Sequence, residues 1–157
     1  MIAITSTALA IITAETRRAQ DGNETGGILL GTELPEQITI TTAGTPGPNA
    51  RRTPRSFHRD LHHAQALAQH AWDTDRGQWI GEWHTHPGGD PTPSQTDLTS
   101  YQSHLHDPDL HFDQFIAIIA VPSASSPLRL QTWIITHTQA IPAQLIETGT
   151  HITQARR

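Results

Sequence analysis

The sequence predicts an α/β chain of the α+β type: one domain, with a mixed β-sheet flanked by helices. Three observations carry that reading. A length of 157 residues suits one domain that buries a core without staples. Helical and strand patterns follow one another too irregularly for a doubly wound parallel sheet. Residues 115 to 121, Phe-Ile-Ala-Ile-Ile-Ala-Val, form an unbroken apolar run of strand length, as in a strand covered on both faces.

The elements follow in order. Residues 1 to 4 read as a short strand. Thr5 or Ser6 caps a helix to about residue 19, in which Ala8, Ile11 and Ile12 fall at i, i+3 and i+4 with Leu9 alongside. Asp21-Gly22-Asn23 is turn chemistry. Residues 25 to 31 and 37 to 42 read as strands around a turn at Leu34-Pro35, with Ile38 and Ile40 on one inner face. Residues 43 to 55, rich in Gly, Pro, Thr and Arg, read as a loop long enough for a functional role. Residues 57 to about 74 read as a helix with the stripe Leu61, Ala64, Leu67, Ala68 and Ala71, and Trp72 beside it. Residues 78 to 86 read as a strand. Strict alternation puts Trp79, Gly81 and Trp83 on one face, with Trp83 in the core, and Ile80, Glu82, His84 and His86 on the other. Ser94 starts a helix to about residue 105. Residues 128 to 136 form a further strand, and from Pro142 onward come one short strand or helix and a frayed tail. There is no internal repeat and no interdomain linker.

Composition narrows the function. The net charge of −5 argues against a dedicated nucleic-acid binder. With no Cys there is no disulfide, no thiolate zinc site and no cysteine nucleophile. The early run Ala-Leu-Ala-Ile-Ile has no cation before it, and Arg17 and Arg18 follow it, the reverse of a signal peptide. No stretch approaches the roughly 18 apolar residues of a membrane span. The expectation is a soluble cytoplasmic protein without a membrane partner. All ten basic residues are Arg, read with the abundant Ala, Thr and Pro as codon composition.

The chemistry concentrates in residues 84 to 97, His-Thr-His-Pro-Gly-Gly-Asp-Pro-Thr-Pro-Ser-Gln-Thr-Asp. His84 and His86 alternate at strand spacing, so both rings can point the same way. Ser94 and Asp97 follow a Gly/Pro turn at the start of a helix. Two imidazoles and a carboxylate supply three ligands for a tetrahedral zinc and leave the fourth position open, as in catalytic sites. Ser-x-x-Asp is also a capping box, and the two roles are compatible. Two acids compete for the role of base. Glu24 stands before Thr-Gly-Gly, and Glu82 lies two residues before His84. A second group, His104, His106, Asp107 and His111, lies around a loop with no element to fix it. His58 and His62 are spaced i, i+4 and read as a polar helix face. The chain is too short for a metal-dependent barrel of about 250 residues, and zinc deaminases need cysteines it lacks.

The order His-x-His, seven residues, Ser-x-x-Asp, preceded by Glu24 in Glu-Thr-Gly-Gly-Ile-Leu-Leu-Gly, resembles the JAMM motif of MPN-domain (JAB-type) metallopeptidases. The resemblance implies a single MPN/JAB-like domain over residues 1 to 157 with a curved mixed sheet. It implies Zn2+ held by His84, His86 and Asp97, with Glu24 as base and then acid and Ser94 steadying the oxyanion. It further implies an isopeptidase acting after the C-terminal glycine of a ubiquitin-like or sulfur-carrier protein. Activating and conjugating enzymes would be encoded nearby, as in bacterial conjugation or antiphage systems. The alternative within the family is a catalytically silent scaffold; such members lack one or more ligands, and this sequence keeps every one.

Overall fold

The computed structural model describes residues 1–123 and 128–149. In chain order it contains β1 (Ile2–Thr5), α1 (Ser6–Arg18), β2 (Gly26–Leu34), β3 (Gln37–Ala43), β4 (Arg51–Thr53), β5 (Ser56–His58), α2 (Leu61–Asp75), β6 (Gln78–Thr85), α3 (Gln95–His106), β7 (Phe115–Val121), β8 (Arg129–Ile135), β9 (Ala140–Ala143) and β10 (Leu145–Thr148). Eight strands form one sheet in the order β10-β1-β3-β2-β6-β7-β8-β9. β1 runs parallel to β10 and β3, and β6 parallel to β7; the other neighbours are antiparallel.

The sheet is curved. Its two outermost strands, β9 and β10, are separated in sequence only by Gln144. Eight strands laid flat at about 4.8 Å spacing would hold their edges about 34 Å apart. One residue cannot span that, so the sheet curls until its edges nearly meet. α1 closes one face, placing Ala8 and Ile12 against Ile2, Ile4, Leu29, Ile40, Trp83 and Ile118. α2 and α3 cover the other face. α2 lays Ala64, Leu67, Ala68 and Ala71 on Ile28 and Leu30, and α3 lays Tyr101 and Leu105 on Phe115, Ala117 and Ile135. The mixed sheet flanked by helices agrees with the fold class read from the sequence.

Local chemistry sets the helix starts. The Thr5 hydroxyl caps α1 by accepting from the Ala8 N–H at 3.2 Å. The Asp60 carboxylate caps α2 by accepting from the His63 N–H at 3.2 Å. That cap corrects the expected helix boundary: residues 57 to 59 lie outside the helix, and Phe57 and His58 are in β5. His58 and His62 therefore do not share a helix. The expected loop of residues 43 to 55 is corrected as well, since β4 and β5 pair there as a separate hairpin.

β6 departs from strict alternation. Leu29 pairs with Gly81 but Leu30 with Trp79, so Ile80 is an extra residue in a bulge. Ile80 thus joins Trp83 in the α1-side core, while Trp79 packs on the α2/α3 side against Phe112 and Phe115. The chain after β8 forms two short strands, β9 and β10. The predicted frayed tail falls in part outside the described residues. No helix among the described residues is long and apolar enough to cross a membrane.

Candidate metal centre

The centre lies where the N-terminal end of β2, the C-terminal end of β6 and the first turn of α3 converge. Gly26 pairs with His84 across β2 and β6. A Cβ on Gly26 would stand 2.1 Å from the Trp83 carbonyl oxygen and 2.8 Å from the His84 Cα, so only glycine permits this approach. Thr25 and Thr85 lock the same pair: the Thr85 N–H donates to the Thr25 carbonyl at 2.8 Å, and the Thr25 N–H to the Thr85 hydroxyl at 3.0 Å. His86 follows β6 directly, its N–H donating to the Ala120 carbonyl at 2.9 Å. The turn from Pro87 to Pro93 is braced. Gly89, at φ 93°, donates to the His86 carbonyl at 3.0 Å, and the Trp133 indole donates to the Pro91 carbonyl at 3.1 Å. Ser94 and Asp97 form a full capping box: the Ser94 N–H donates to Asp97 Oδ2 at 2.8 Å and the Asp97 N–H to Ser94 Oγ at 3.0 Å. The cap fixes the carboxylate that faces the histidines.

Three atoms make a near-equilateral triangle. His84 Nε2 and His86 Nε2 are 3.0 Å apart, and Asp97 Oδ2 lies 3.2 Å from the first and 3.1 Å from the second. A tetrahedral zinc with bonds of about 2.0–2.1 Å requires ligand atoms about 3.3–3.4 Å apart. The observed edges match one face of that tetrahedron within a few tenths of an ångström. Glu24 Oε1 stands farther off, 3.8 Å from His86 Nε2. Glu24, His84 and His86 also form a group with ligand atoms within 4.8 Å of one another, which could hold an ion. The triangle is the tighter of the two groups, and Glu24 lies beside it.

The donor set fits a cation. His86 Nδ1 lies 2.6 Å from the Asp90 carbonyl, so its proton sits there and its Nε2 lone pair faces the triangle. His84 Nδ1 faces the Tyr101 hydroxyl at 3.5 Å. Two imidazole Nε2 atoms and a carboxylate oxygen thus converge within 3.2 Å of one another, a donor set that suits a metal ion. The charges agree. Burial pushes the Asp97 carboxyl up, but hydrogen bonds from His84, His86 and the Ser94 N–H outweigh it and hold it far below the usual range. Burial lowers the His86 pKa, but Asp97, the Asp90 carbonyl and Glu24 together raise it. The Asp97 shift reflects the histidines and the N–H around it, and the His86 shift the carboxylates and carbonyl beside it.

Glu24 is buried, and burial raises its carboxyl above the usual glutamate value, opposed by His84 and His86 and reinforced by Asp97. Its rival Glu82 is engaged elsewhere. It accepts a bond from Arg59 Nη1 at 3.0 Å, and that guanidinium lies 5.2 Å from the Trp79 ring centre. Glu24, Glu82, His84, Asp97, Phe57 and Leu61 line one cavity of about 310 Å³. Ser94 is exposed and borders a neighbouring depression with Glu24 and His86. Its oxygen accepts the capping bond, which leaves its hydroxyl hydrogen to donate.

The structure thus brings His84, His86 and Asp97 together, with Glu24 and Ser94 alongside. It does not assemble the second histidine group. His104 stacks on Phe115 and meets Trp79 edge-on, and His106 pairs its Nδ1 with the Gln102 carbonyl. Sequence reasoning missed Tyr101, Arg52 and Arg59. Tyr101 lies four residues after Asp97 on the predicted helix, a spacing that puts both on one face. Arg52 and Arg59 gave no local signal, because their partners are distant in sequence.

Residues 6–135 match the family model described as prokaryotic homologs of the JAB domain. A protein of Enterobacter hormaechei named CD-NTase/cGAS isopeptidase is 37% identical over 83 residues, covering 52% of this chain and 46% of that protein. A protein of Vibrio cholerae with the same name is 32% identical over 85 residues, covering 52% of this chain and 54% of that one. The chain therefore spans about half the length of the curated relatives it matches. A solution structure of a Desulfitobacterium hafniense protein shares the fold, with a TM-score of 0.71 at 19% identity over 95% of this chain and 94% of that one.

Proposed function

The chain belongs to the prokaryotic homologs of the JAB domain, a JAB-type isopeptidase family, and on that premise we propose that it is a zinc-dependent isopeptidase. Its substrate is a ubiquitin-like or sulfur-carrier protein joined to an amine through a C-terminal glycine. The observation that carries this reading is the triangle of His84, His86 and Asp97, edges 3.0–3.2 Å, beside the buried carboxyl of Glu24. All of residues 1 to 157 act as one domain, in the cytoplasm.

His84, His86 and Asp97 would hold the zinc ion, which when bound supplies Lewis-acid polarisation of a carbonyl and of water. Glu24 accepts a proton from the attacking water as the oxygen–carbon bond forms. It returns that proton to the amine nitrogen as the carbon–nitrogen bond breaks. A carboxyl raised by burial serves both steps, because its proton affinity lies nearer the working pH. The Ser94 hydroxyl donates to the oxygen on which negative charge develops. Glu82, tied to Arg59, takes no part in proton transfer.

The isopeptidase names of the relatives support this reading, and they make a CD-NTase conjugate the first target to test. Activating and conjugating enzymes would be its partners, as in a bacterial antiphage system. The test offers the purified protein ubiquitin-like fusions with Gly-Gly or Ala-Ala at the junction. Cleavage of Gly-Gly alone is the expected result, as a channel beside the ion too narrow for side chains would require. Equal rates on Ala-Ala would overturn glycine selectivity. No cleavage of any fusion with zinc bound would favour a silent scaffold.

A further inference from the structure

Arg52 does not touch the ligand triangle, yet it gathers the segments that carry Glu24. Its Nε donates to the Glu24 carbonyl oxygen at 2.9 Å. Its terminal nitrogens donate to the two oxygens of Asp21 at 3.0 and 2.9 Å, and Nη2 reaches the Asn23 carbonyl at 3.5 Å. The Glu24 N–H donates to the carbonyl of Thr53, the next residue on β4, at 2.8 Å. Both backbone polar groups of Glu24 therefore end on the β4–β5 hairpin. That hairpin pairs with no strand of the main sheet, so these bonds fix its place beside Glu24. Beyond Thr53, the hairpin residues Arg55, Ser56, Phe57 and His58 line the cavity that Glu24 faces.

We propose that Arg52 is a positioning residue that fastens Glu24 to the β4–β5 hairpin, so that the aim of the carboxylate depends on where the hairpin sits. This rests on the reading of Glu24 as proton carrier. The role needs the planar fork of arginine, which serves a carboxylate and two carbonyls at once; a lysine ammonium cannot reach all three in that geometry. An ordinary exposed ion pair with Asp21 would matter little. What sets Arg52 apart is the bond from Nε to the carbonyl of the buried Glu24.

The test compares Arg52→Ala, Arg52→Lys and Asp21→Asn with the wild type, each as the full chain loaded with zinc. Two readouts are taken on a Gly-Gly conjugate and on the free protein: the kcat-against-KM split and amide hydrogen exchange. In Arg52→Ala the geometry of proton transfer loosens, and kcat should fall about tenfold to a hundredfold while KM changes less than about threefold. The Glu24 amide should exchange at least about tenfold faster, with β6 and β7 amides unchanged. Zinc content should stay full. Arg52→Lys should resemble Arg52→Ala. Asp21→Asn should move both readouts the same way but less, since the Nε bond to Glu24 survives. Wild-type protection at Glu24 in Arg52→Ala, or faster exchange spread evenly through the sheet, would overturn the proposal. The exchange readout is independent of catalysis, so it separates failure of the clasp from failure of the Glu24 reading. The latter would show instead as a Glu24→Gln variant that keeps its kcat.

Discussion

His86 Nδ1 lies 2.6 Å from the carbonyl oxygen of Asp90, a contact that only an N–H donor makes, and it turns the other nitrogen of His86 toward Asp97. The turn that supplies this carbonyl includes Gly89 at φ 93°. A side chain at Gly89 strains the turn, so Gly89→Ala should weaken zinc affinity about tenfold to a hundredfold, as loss of a ligand's orienting partner does. Asp90→Ala keeps the backbone carbonyl and should bind zinc nearly as the wild type does. His84→Ala combined with Asp97→Ala should lose the metal altogether. Metal analysis after gel filtration checks all three, and full zinc in the double variant would place the site elsewhere.

Glu24→Gln should retain zinc and lose kcat by about 10²–10⁴-fold, because the proton carrier goes while the ligands stay. Glu82→Gln should act on folding. It leaves Arg59, whose side chain is only 16% exposed, facing a neutral amide in place of a charge, and should cost about 1–3 kcal/mol of stability with a smaller loss of rate. Denaturant melts and steady-state kinetics on both variants separate the effects. The reverse ranking of rates would exchange the two roles.

The buried Glu24 also gives a pH signature. Burial raises its folded-state pKa above the usual 4.5, so the folded state binds this proton more tightly than the unfolded chain. That contribution to stability is complete below the unfolded pKa and is lost as pH rises through the folded one. At neutral pH the ionised carboxylate therefore opposes folding of the metal-free protein. Metal-free Glu24→Gln should melt higher than metal-free wild type at pH 7, with the advantage gone below about pH 4. Equal melting temperatures at pH 7 would contradict the burial argument.

Gly26→Ala forces a Cβ against the Trp83 carbonyl and the His84 backbone. Backbone on both sides cannot yield, so the variant should lose about 3 kcal/mol or more and bind zinc poorly. Gly88 has nothing within 4 Å of an added Cβ and no positive φ, so Gly88→Ala should change stability by less than about 0.5 kcal/mol. Thermal melts of the pair test whether the β2–β6 approach positions His84.

Much of this arrangement was legible in the sequence because its causes are local. The Thr5 cap, the Ile38/Ile40 face and the apolar run of residues 115 to 121 each follow from neighbours in the chain, and the Ser94/Asp97 box both starts α3 and turns a carboxylate toward the histidines. What escaped has distant causes. β4 and β5 are short, mostly polar strands of three residues, held beside Glu24 by the Arg52 bond to its carbonyl and by its own N–H donating to Thr53, bonds that span about thirty positions. The bulge at Ile80 is set by its pairing with β2, so period-two alternation assigned Trp79 and Ile80 to the wrong faces.

The claim that hydrolysis depends on zinc held by His84, His86 and Asp97 is tested most directly by a titration. Zinc is added to chelator-stripped protein while cleavage of a Gly-Gly-linked ubiquitin-like conjugate is followed. Activity should be absent at the start, rise in proportion to added zinc, and level off at one ion per chain, with Asp97→Ala silent throughout. Full cleavage by the stripped protein, or an unchanged rise in Asp97→Ala, would contradict it.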